Sequence, residues 1–129
     1  MDAMRYATED TGKGETYSFK WGNMNSINIL GTEYSFRVDE QVMNDAGADG
    51  MCRFHSKEII LRPEENILED GTDEENRTYY SKVIRHEVVH AALHESGLTH
   101  YANDELLVEW LAVQFPKLAE IFKKANCST

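Results

Sequence analysis

The side chains best suited to chemistry lie together in the stretch His86-Glu87-Val88-Val89-His90. Two histidines four residues apart lie on one face of an α-helix, one turn from each other, so both imidazoles can bind the same metal ion. Neutral imidazole is a ligand that suits zinc. Glu87 directly follows the first histidine, where a carboxylate can act as general base on a water molecule. The stretch therefore predicts a site for one Zn²⁺ ion, with His86 and His90 as ligands and Glu87 as the catalytic residue.

A metal-free helix is the alternative interpretation of this stretch, with both histidines simply hydrogen-bonded in the core. Three ionisable side chains so close together on a buried helix are costly unless each has a partner. A metal ion satisfies two imidazoles at once, whereas a protein core seldom offers that many polar partners on adjacent faces of one helix. We therefore favour the metal.

The third ligand must come from elsewhere in the chain, because a catalytic zinc site takes three protein ligands and leaves one position open. The pattern H-E-x-x-H-x-x-G-x-x-H is excluded, since Leu93 and Ser96 stand where it needs glycine and histidine. Glu105 and Glu109 are spaced i, i+4 and share one face of a later helix. We expect Glu105 to be the third ligand and Glu109 to brace a ligand histidine from behind, with the reverse assignment left open.

Two or three helices must position these residues. Apolar residues occur on most sides of the segment 78–96, which predicts a centrally buried helix that ends near Gly97. The pair Asn103-Asp104 can cap a second helix, which carries the two glutamates. Pro116 either kinks this helix or begins another in its first turn.

Strand patterns precede the helices. Alternating or continuous apolar runs predict five strands, namely Tyr17–Trp21, Ile27–Leu30, Tyr34–Val38, Met51–His55 and Glu58–Arg62. The pair Gly31-Thr32 suits a type II′ turn between the second and third of these, and Ser56-Lys57 joins the last two. We expect an α+β fold, in which an N-terminal antiparallel sheet of about four to five strands is followed by C-terminal helices.

The remaining segments have the composition of loops. Residues 1–15 lack periodicity and are expected to be loosely ordered. Residues 44–50 are rich in Asn, Asp and Gly, which is typical of turns. Residues 64–78 are strongly acidic and are interpreted as a solvated loop, the alternative being a mobile flap that selects substrate by charge.

Length and charge limit the possible partners. At 129 residues the chain has the size of one domain, so we expect a single domain over residues 1–129. A net charge of −10 would be repelled by phosphate groups, so neither nucleic acid nor an anionic membrane is an expected partner. Cys52 and Cys127 are expected to be free thiols. The chain shows neither a long apolar run nor the pattern of a signal peptide, which favours a cytoplasmic location.

The two motifs together resemble a known family. His86–His90 followed by Asn103–Trp110 resembles the gluzincin-type zinc metallopeptidases, with the thermolysin-like pattern H-E-x-x-H…E-x-x-x-[D/E], and the short chain resembles the minigluzincins. The stretch Ile84–Lys117 is similar to small metallopeptidase-like proteins encoded by phages and prophages. This resemblance implies a zincin-like fold, in which the antiparallel sheet packs on the motif helix. It also implies zinc on the two histidines and Glu105 and, for a phage protein, the cytoplasm of a bacterial host.

The resemblance also implies how a substrate would bind. In the family an edge strand pairs with an extended peptide or protein substrate, and Glu58–Arg62 is the nearest strand in this sequence. Thermolysin itself stabilises the oxyanion with a later histidine. No histidine follows His100 in this chain, so His94, His100 and Tyr101 are the candidates for that role.

The expected function is zinc-dependent hydrolysis of peptide bonds in a narrow protein target, with water activated by Glu87. One alternative is a zincin-like protein-binding or regulatory module of a phage or prophage, which holds zinc but cleaves little or nothing. Another is a zinc-stabilised structural protein, which would have a closed site with four protein ligands.

Overall fold

Four strands and four α-helices make up the part of the chain described by a computed structural model, residues 25–129. In chain order they are β1 (Ser26–Ile29), β2 (Thr32–Val38), α1 (Glu40–Ala46), β3 (Gly50–Arg53), β4 (Glu58–Leu61), α2 (Asp73–Glu95), α3 (Thr99–Ala102) and α4 (Glu105–Lys124). The fold is α+β, with C-terminal helices after the sheet, as expected. The predicted strand Tyr17–Trp21 and the segment 1–15 lie outside the described residues.

The sheet is mixed, so the prediction of a purely antiparallel sheet is wrong. Its strand order is β1-β2-β4-β3, and β2 and β4 run parallel, with Phe36 opposite Ile59. A parallel pair needs a crossover connection, and α1 together with β3 provides it. The Asp39 side chain accepts a hydrogen bond from Val42 N at 3.1 Å and caps α1, and Gly47 ends the helix with φ of 65°. The prediction of turns throughout 44–50 therefore missed the end of a short helix.

The hairpin between β1 and β2 is confirmed, but its turn lies one residue earlier than predicted. Ile29 pairs with Thr32, which leaves Leu30 and Gly31 as the connection. Both have positive φ, at 49° and 102°, as in a type I′ turn rather than type II′. Leu30 consequently occupies a left-handed conformation that glycine or asparagine would adopt more easily.

The second hairpin, between β3 and β4, is also confirmed, with Arg53 opposite Glu58. However, β4 lies inside the sheet, between β2 and β3. Its backbone groups therefore face strands on both sides, and Glu58–Arg62 is not an edge to which a substrate could add. On that side of the described sheet the edge strand is β3.

Helix α2 begins at Asp73, five residues before the predicted start at Thr78. The Thr72 hydroxyl accepts a hydrogen bond from Glu75 N at 3.1 Å, and the Glu75 carboxylate accepts one from Thr72 N at 2.9 Å. This capping box satisfies free N–H groups of the first turn, and acidic side chains there favour the positive end of the helix dipole. The second part of the acidic segment is therefore helix, and its first part includes a 3₁₀ turn at Glu64–Asn66.

The two faces of the sheet are covered differently. One face packs on α2 through a core that contains Tyr34, Phe36, Ile59, Leu61, Tyr80, Val83 and Ala91. On the other face, Ile60 of β4 and Met43 of α1 form a second, fully buried cluster. Because α2 also contacts α3 and α4, it lies centrally, as its apolar circumference predicted.

Helix α4 is continuous from Glu105 to Lys124, so Pro116 lies within it and does not start a separate helix. Its N-cap is Asp104, whose side chain accepts from Leu107 N at 3.1 Å, as predicted. Both cysteines are free, as expected. In the described part of the chain, no helix has the length and apolarity needed to cross a membrane.

Candidate metal centre

Three side chains from two helices converge at the crossing of α2 and α4. A ring nitrogen of His86, a ring nitrogen of His90 and a carboxylate oxygen of Glu105 all lie within 4.8 Å of one another. The two histidines are 4% and 6% exposed, whereas the Glu105 side chain is 57% exposed. The cluster therefore has buried nitrogen donors on one side and a carboxylate that faces solvent on the other.

Helical spacing brings the two histidine rings together, and a reversal of the chain brings Glu105 to them. Residues 86 and 90 lie one turn apart on α2, and their ring centroids are 4.9 Å apart. Helix α3 and the cap at Asp104 turn the chain back, so that the first turn of α4 passes the second half of α2. This reversal places Glu105 opposite both histidines.

Each ring is held from behind at Nδ1. His86 Nδ1 lies 2.8 Å from Glu109 Oε1, and His90 Nδ1 lies 2.7 Å from the carbonyl oxygen of Ala102. A carbonyl and a carboxylate can only accept, so Nδ1 is the protonated nitrogen in both rings. Such partners fix ring orientation and tautomer in known metal sites.

The Nε2 atoms are then left facing a third acceptor. Glu105 Oε1 lies 3.0 Å from His86 Nε2 and 3.3 Å from His90 Nε2. In neutral imidazoles these nitrogens carry lone pairs, so three electron-rich atoms point at one another. A cation between them, or a proton on each ring, removes this repulsion. Two imidazole nitrogens and one carboxylate oxygen are a donor set that fits zinc.

The two glutamates of α4 have different surroundings. Glu105 shares one oxygen between both Nε2 atoms, whereas Glu109 contacts the opposite side of the His86 ring. Glu109 Oε2 accepts from Lys82 Nζ at 2.9 Å. Partial burial acts to raise the pKa of Glu109, but the hydrogen bonds from Lys82 and His86 outweigh it and hold the pKa below its ordinary value. Of the two assignments left open by the sequence, the geometry favours Glu105 at the donor cluster and Glu109 behind it.

Glu87 is a fully buried residue of α2. By helical geometry its side chain is displaced about 60° around the axis from His90. Its charge acts on the Cys52 thiol of β3, whose pKa is raised first by burial and then by Glu87.

The three candidates for an oxyanion stabiliser occupy two separate places, and none of them joins the donor cluster found among the described residues. His94 stacks on Phe54, with ring centroids 4.1 Å apart and planes at 4°. His100 and Tyr101 lie on α3, exposed and in contact with each other. The Phe54 ring also lies 6.5 Å from the ring of His90.

Three contacts of the centre were missed by the sequence interpretation. Lys82 lies four residues before His86, so the i, i+4 spacing could have placed it on the same face. The carbonyl of Ala102 has no side-chain signature. Phe54 follows an edge strand, and no sequence pattern connects it with the histidines.

Comparison of the chain with protein-family models, curated proteins and solved structures found no match.

Proposed function

We propose that this protein is a zincin-like, zinc-dependent metallopeptidase of the gluzincin type that hydrolyses peptide bonds in a narrow protein target. One observation carries the proposal: two ring nitrogens with lone pairs converge on one carboxylate oxygen, at 3.0 and 3.3 Å. Glu87, which follows His86 in the H-E-x-x-H sequence, is fully buried. The zinc ligands would be His86, His90 and Glu105, and Glu109 would orient His86.

When bound, zinc supplies Lewis-acid polarisation of a carbonyl group and activation of water. The chain's own residues supply the rest. Glu87 would take a proton on its carboxylate from the attacking water and transfer it to the leaving amine. His86 and His90 would keep their orientation through the contacts at Nδ1. The exposed side chain of Glu105 leaves the centre open to a substrate from solvent.

The substrate in this proposal is an extended peptide segment, and β3 replaces Glu58–Arg62 as the strand for it to pair with. Strand β3 is an edge of the described sheet, and it packs against α2. Phe54, directly after this strand, lies 6.5 Å from the His90 ring. A peptide added along β3 would therefore run beside the candidate centre.

The experiment measures bound zinc and cleavage of a bacterial cell lysate, read out as new peptide termini by mass spectrometry. We expect one zinc per chain in the parent and in Glu87→Gln, with cleavage lost only in Glu87→Gln, since the amide cannot take up the proton. Glu74→Gln is the matched control, an exposed glutamate in the first turn of the same helix. Equal cleavage by the parent and Glu87→Gln would refute the assignment. Zinc without cleavage in the parent would favour the protein-binding alternative.

A further inference from the structure

Lys82 is held between an aromatic ring and the carboxylate behind His86. Its Nζ lies 2.9 Å from Glu109 Oε2 and 5.0 Å from the centroid of the Tyr79 ring. The Tyr79 hydroxyl in turn donates to Asp49 Oδ2 at 2.7 Å. The Lys82 side chain is only 23% exposed, so the ammonium group is partly shielded from water. Such shielding strengthens both the ion pair and the cation–π contact.

Both carboxylate oxygens of Glu109 are therefore engaged. Oε1 accepts from His86 Nδ1 and Oε2 accepts from Lys82 Nζ. A carboxylate with a single partner can still rotate about its terminal bond and change rotamer, whereas two partners on opposite oxygens fix it. The orientation of His86 thus depends on Lys82 through Glu109.

We propose that Lys82 is a positioning residue of the metal centre: by fixing Glu109 it directs His86 Nε2 toward the metal and raises the zinc affinity of the site. The inference rests on the proposed zinc site but goes beyond it, because Lys82 pairs with Glu109, which is not one of the three donor side chains. The pair with Lys82 also explains why Glu109 lies behind the His86 ring, although it is one turn from Glu105 on the same face of α4.

The sign of the expected effect separates positioning from simple electrostatics. Lys82 is a positive charge near a bound cation, so removal of its charge alone would strengthen zinc binding. Loss of the contacts behind a ligand histidine typically weakens metal affinity by about 10- to 100-fold. Weaker binding after removal of Lys82 therefore points to lost positioning.

The test measures zinc affinity by competition with a chelating dye, and helix content by circular dichroism. We expect Lys82→Met to bind zinc about tenfold more weakly than the parent, and Lys82→Arg, which can still pair with Glu109, to stay within about threefold. Lys82→Gln replaces Lys82→Met if the latter loses helix content. Arg77→Met is the matched control, because Arg77 is also a half-buried cation on α2 in an ion pair and over an aromatic ring, but its partners are Glu64 and Tyr80. We expect this control within about twofold of the parent.

A double-mutant cycle with Glu109→Gln shows whether Lys82 acts through Glu109. In that background we expect Lys82→Met to cause no further loss of zinc affinity. If Lys82→Met binds zinc as tightly as Arg77→Met, or if its loss persists unchanged without Glu109, the inference is overturned while the zinc site stands. If the parent binds no zinc at all, the proposed function fails first.

Discussion

His90 Nδ1 lies 2.7 Å from the carbonyl oxygen of Ala102, the last residue of the four-residue helix α3. Because a carbonyl oxygen cannot donate, this contact sets the tautomer of His90 and leaves Nε2 as an acceptor toward Glu105 Oε1 at 3.3 Å. A short helix between two long ones thus sets the tautomer of a candidate metal ligand. Because the acceptor is a backbone carbonyl, the contact does not depend on which side chain stands at position 102.

Removal of Glu105 should weaken zinc binding more than removal of Glu109. Glu105 faces both Nε2 atoms, whereas Glu109 contacts only Nδ1 of His86. We expect a loss of about 10- to 100-fold for Glu109→Ala and a larger one for Glu105→Ala, measured by chelator competition. Glu120→Ala, at an exposed position of the same helix, serves as the control. The opposite order would assign the third ligand to Glu109.

Stability should fall in acid because of Glu95, the last residue of α2. Hydrogen bonds from Lys57 at 2.7 Å, Tyr34 at 2.6 Å and Thr32 at 2.8 Å hold the pKa of Glu95 at about 2, below the ordinary 4.5. A carboxyl group whose pKa is depressed by folding stabilises the protein above its unfolded pKa and loses this contribution as pH falls toward the folded value. The contribution of Glu95 should therefore be complete at neutral pH and disappear between pH 4.5 and about 2.

Urea denaturation of the parent and Glu95→Gln at several pH values measures this contribution. The gap between the two free energies of unfolding should be constant near neutrality and narrow below pH 4.5. Glu33→Gln, at an exposed position of β2, should show no such narrowing. A gap for Glu95→Gln that is independent of pH would contradict the assignment of the network to the ionised carboxylate.

The start of α2 can be located by two threonine substitutions. Thr72→Ala removes the hydroxyl that caps the helix and should cost about 1 kcal/mol of stability. Thr78→Ala replaces an exposed residue inside the helix, where alanine is the better helix former, and should be neutral or slightly stabilising. Thermal or chemical unfolding distinguishes them. The reverse result would restore the predicted start near residue 78.

Leu30→Asn should stabilise the first hairpin. Leu30 has φ of 49° and is 66% exposed, so it bears the strain of a left-handed conformation and buries little apolar surface. Asparagine tolerates this conformation and forms a type I′ turn with a following glycine, which suggests a gain of about 0.5–1 kcal/mol. Leu30→Ala is the control, since alanine also removes the exposed apolar side chain but tolerates the left-handed conformation no better than leucine. An equal gain from both substitutions would point to the loss of exposed apolar surface instead of turn geometry.

Local patterns in the sequence predicted the parts of the fold that depend on near neighbours. The spacing of His86 and His90, the cap at Asp104 and both hairpins follow from residues at most a few positions apart. One of the errors was also local in origin. The acidic residues before Thr78 look like a solvated loop by composition, yet Thr72 and Glu75 form a capping box that makes them the first turn of a helix.

Long-range pairings were decided only by the tertiary structure. The parallel contact of β2 with β4 joins strands that are separated by α1 and β3, and nothing in Glu58–Leu61 itself states which neighbours it will have. For the same reason the interior position of β4 could not be predicted. The fully buried run Ile59, Ile60 and Leu61 indicates a strand covered on both faces, but it does not indicate pairing at both edges.

The same division holds at the candidate metal centre. The sequence by itself determined two imidazoles on one helical face, a neighbouring glutamate and two later carboxylates on one face of another helix, because the helical repeat sets these relations. The tertiary structure decided which carboxylate faces Nε2 and which lies behind the ring, and it added Lys82 and the Ala102 carbonyl. These depend on how α2 and α4 cross, and the crossing is set by side-chain packing over the whole core, which no local pattern encodes.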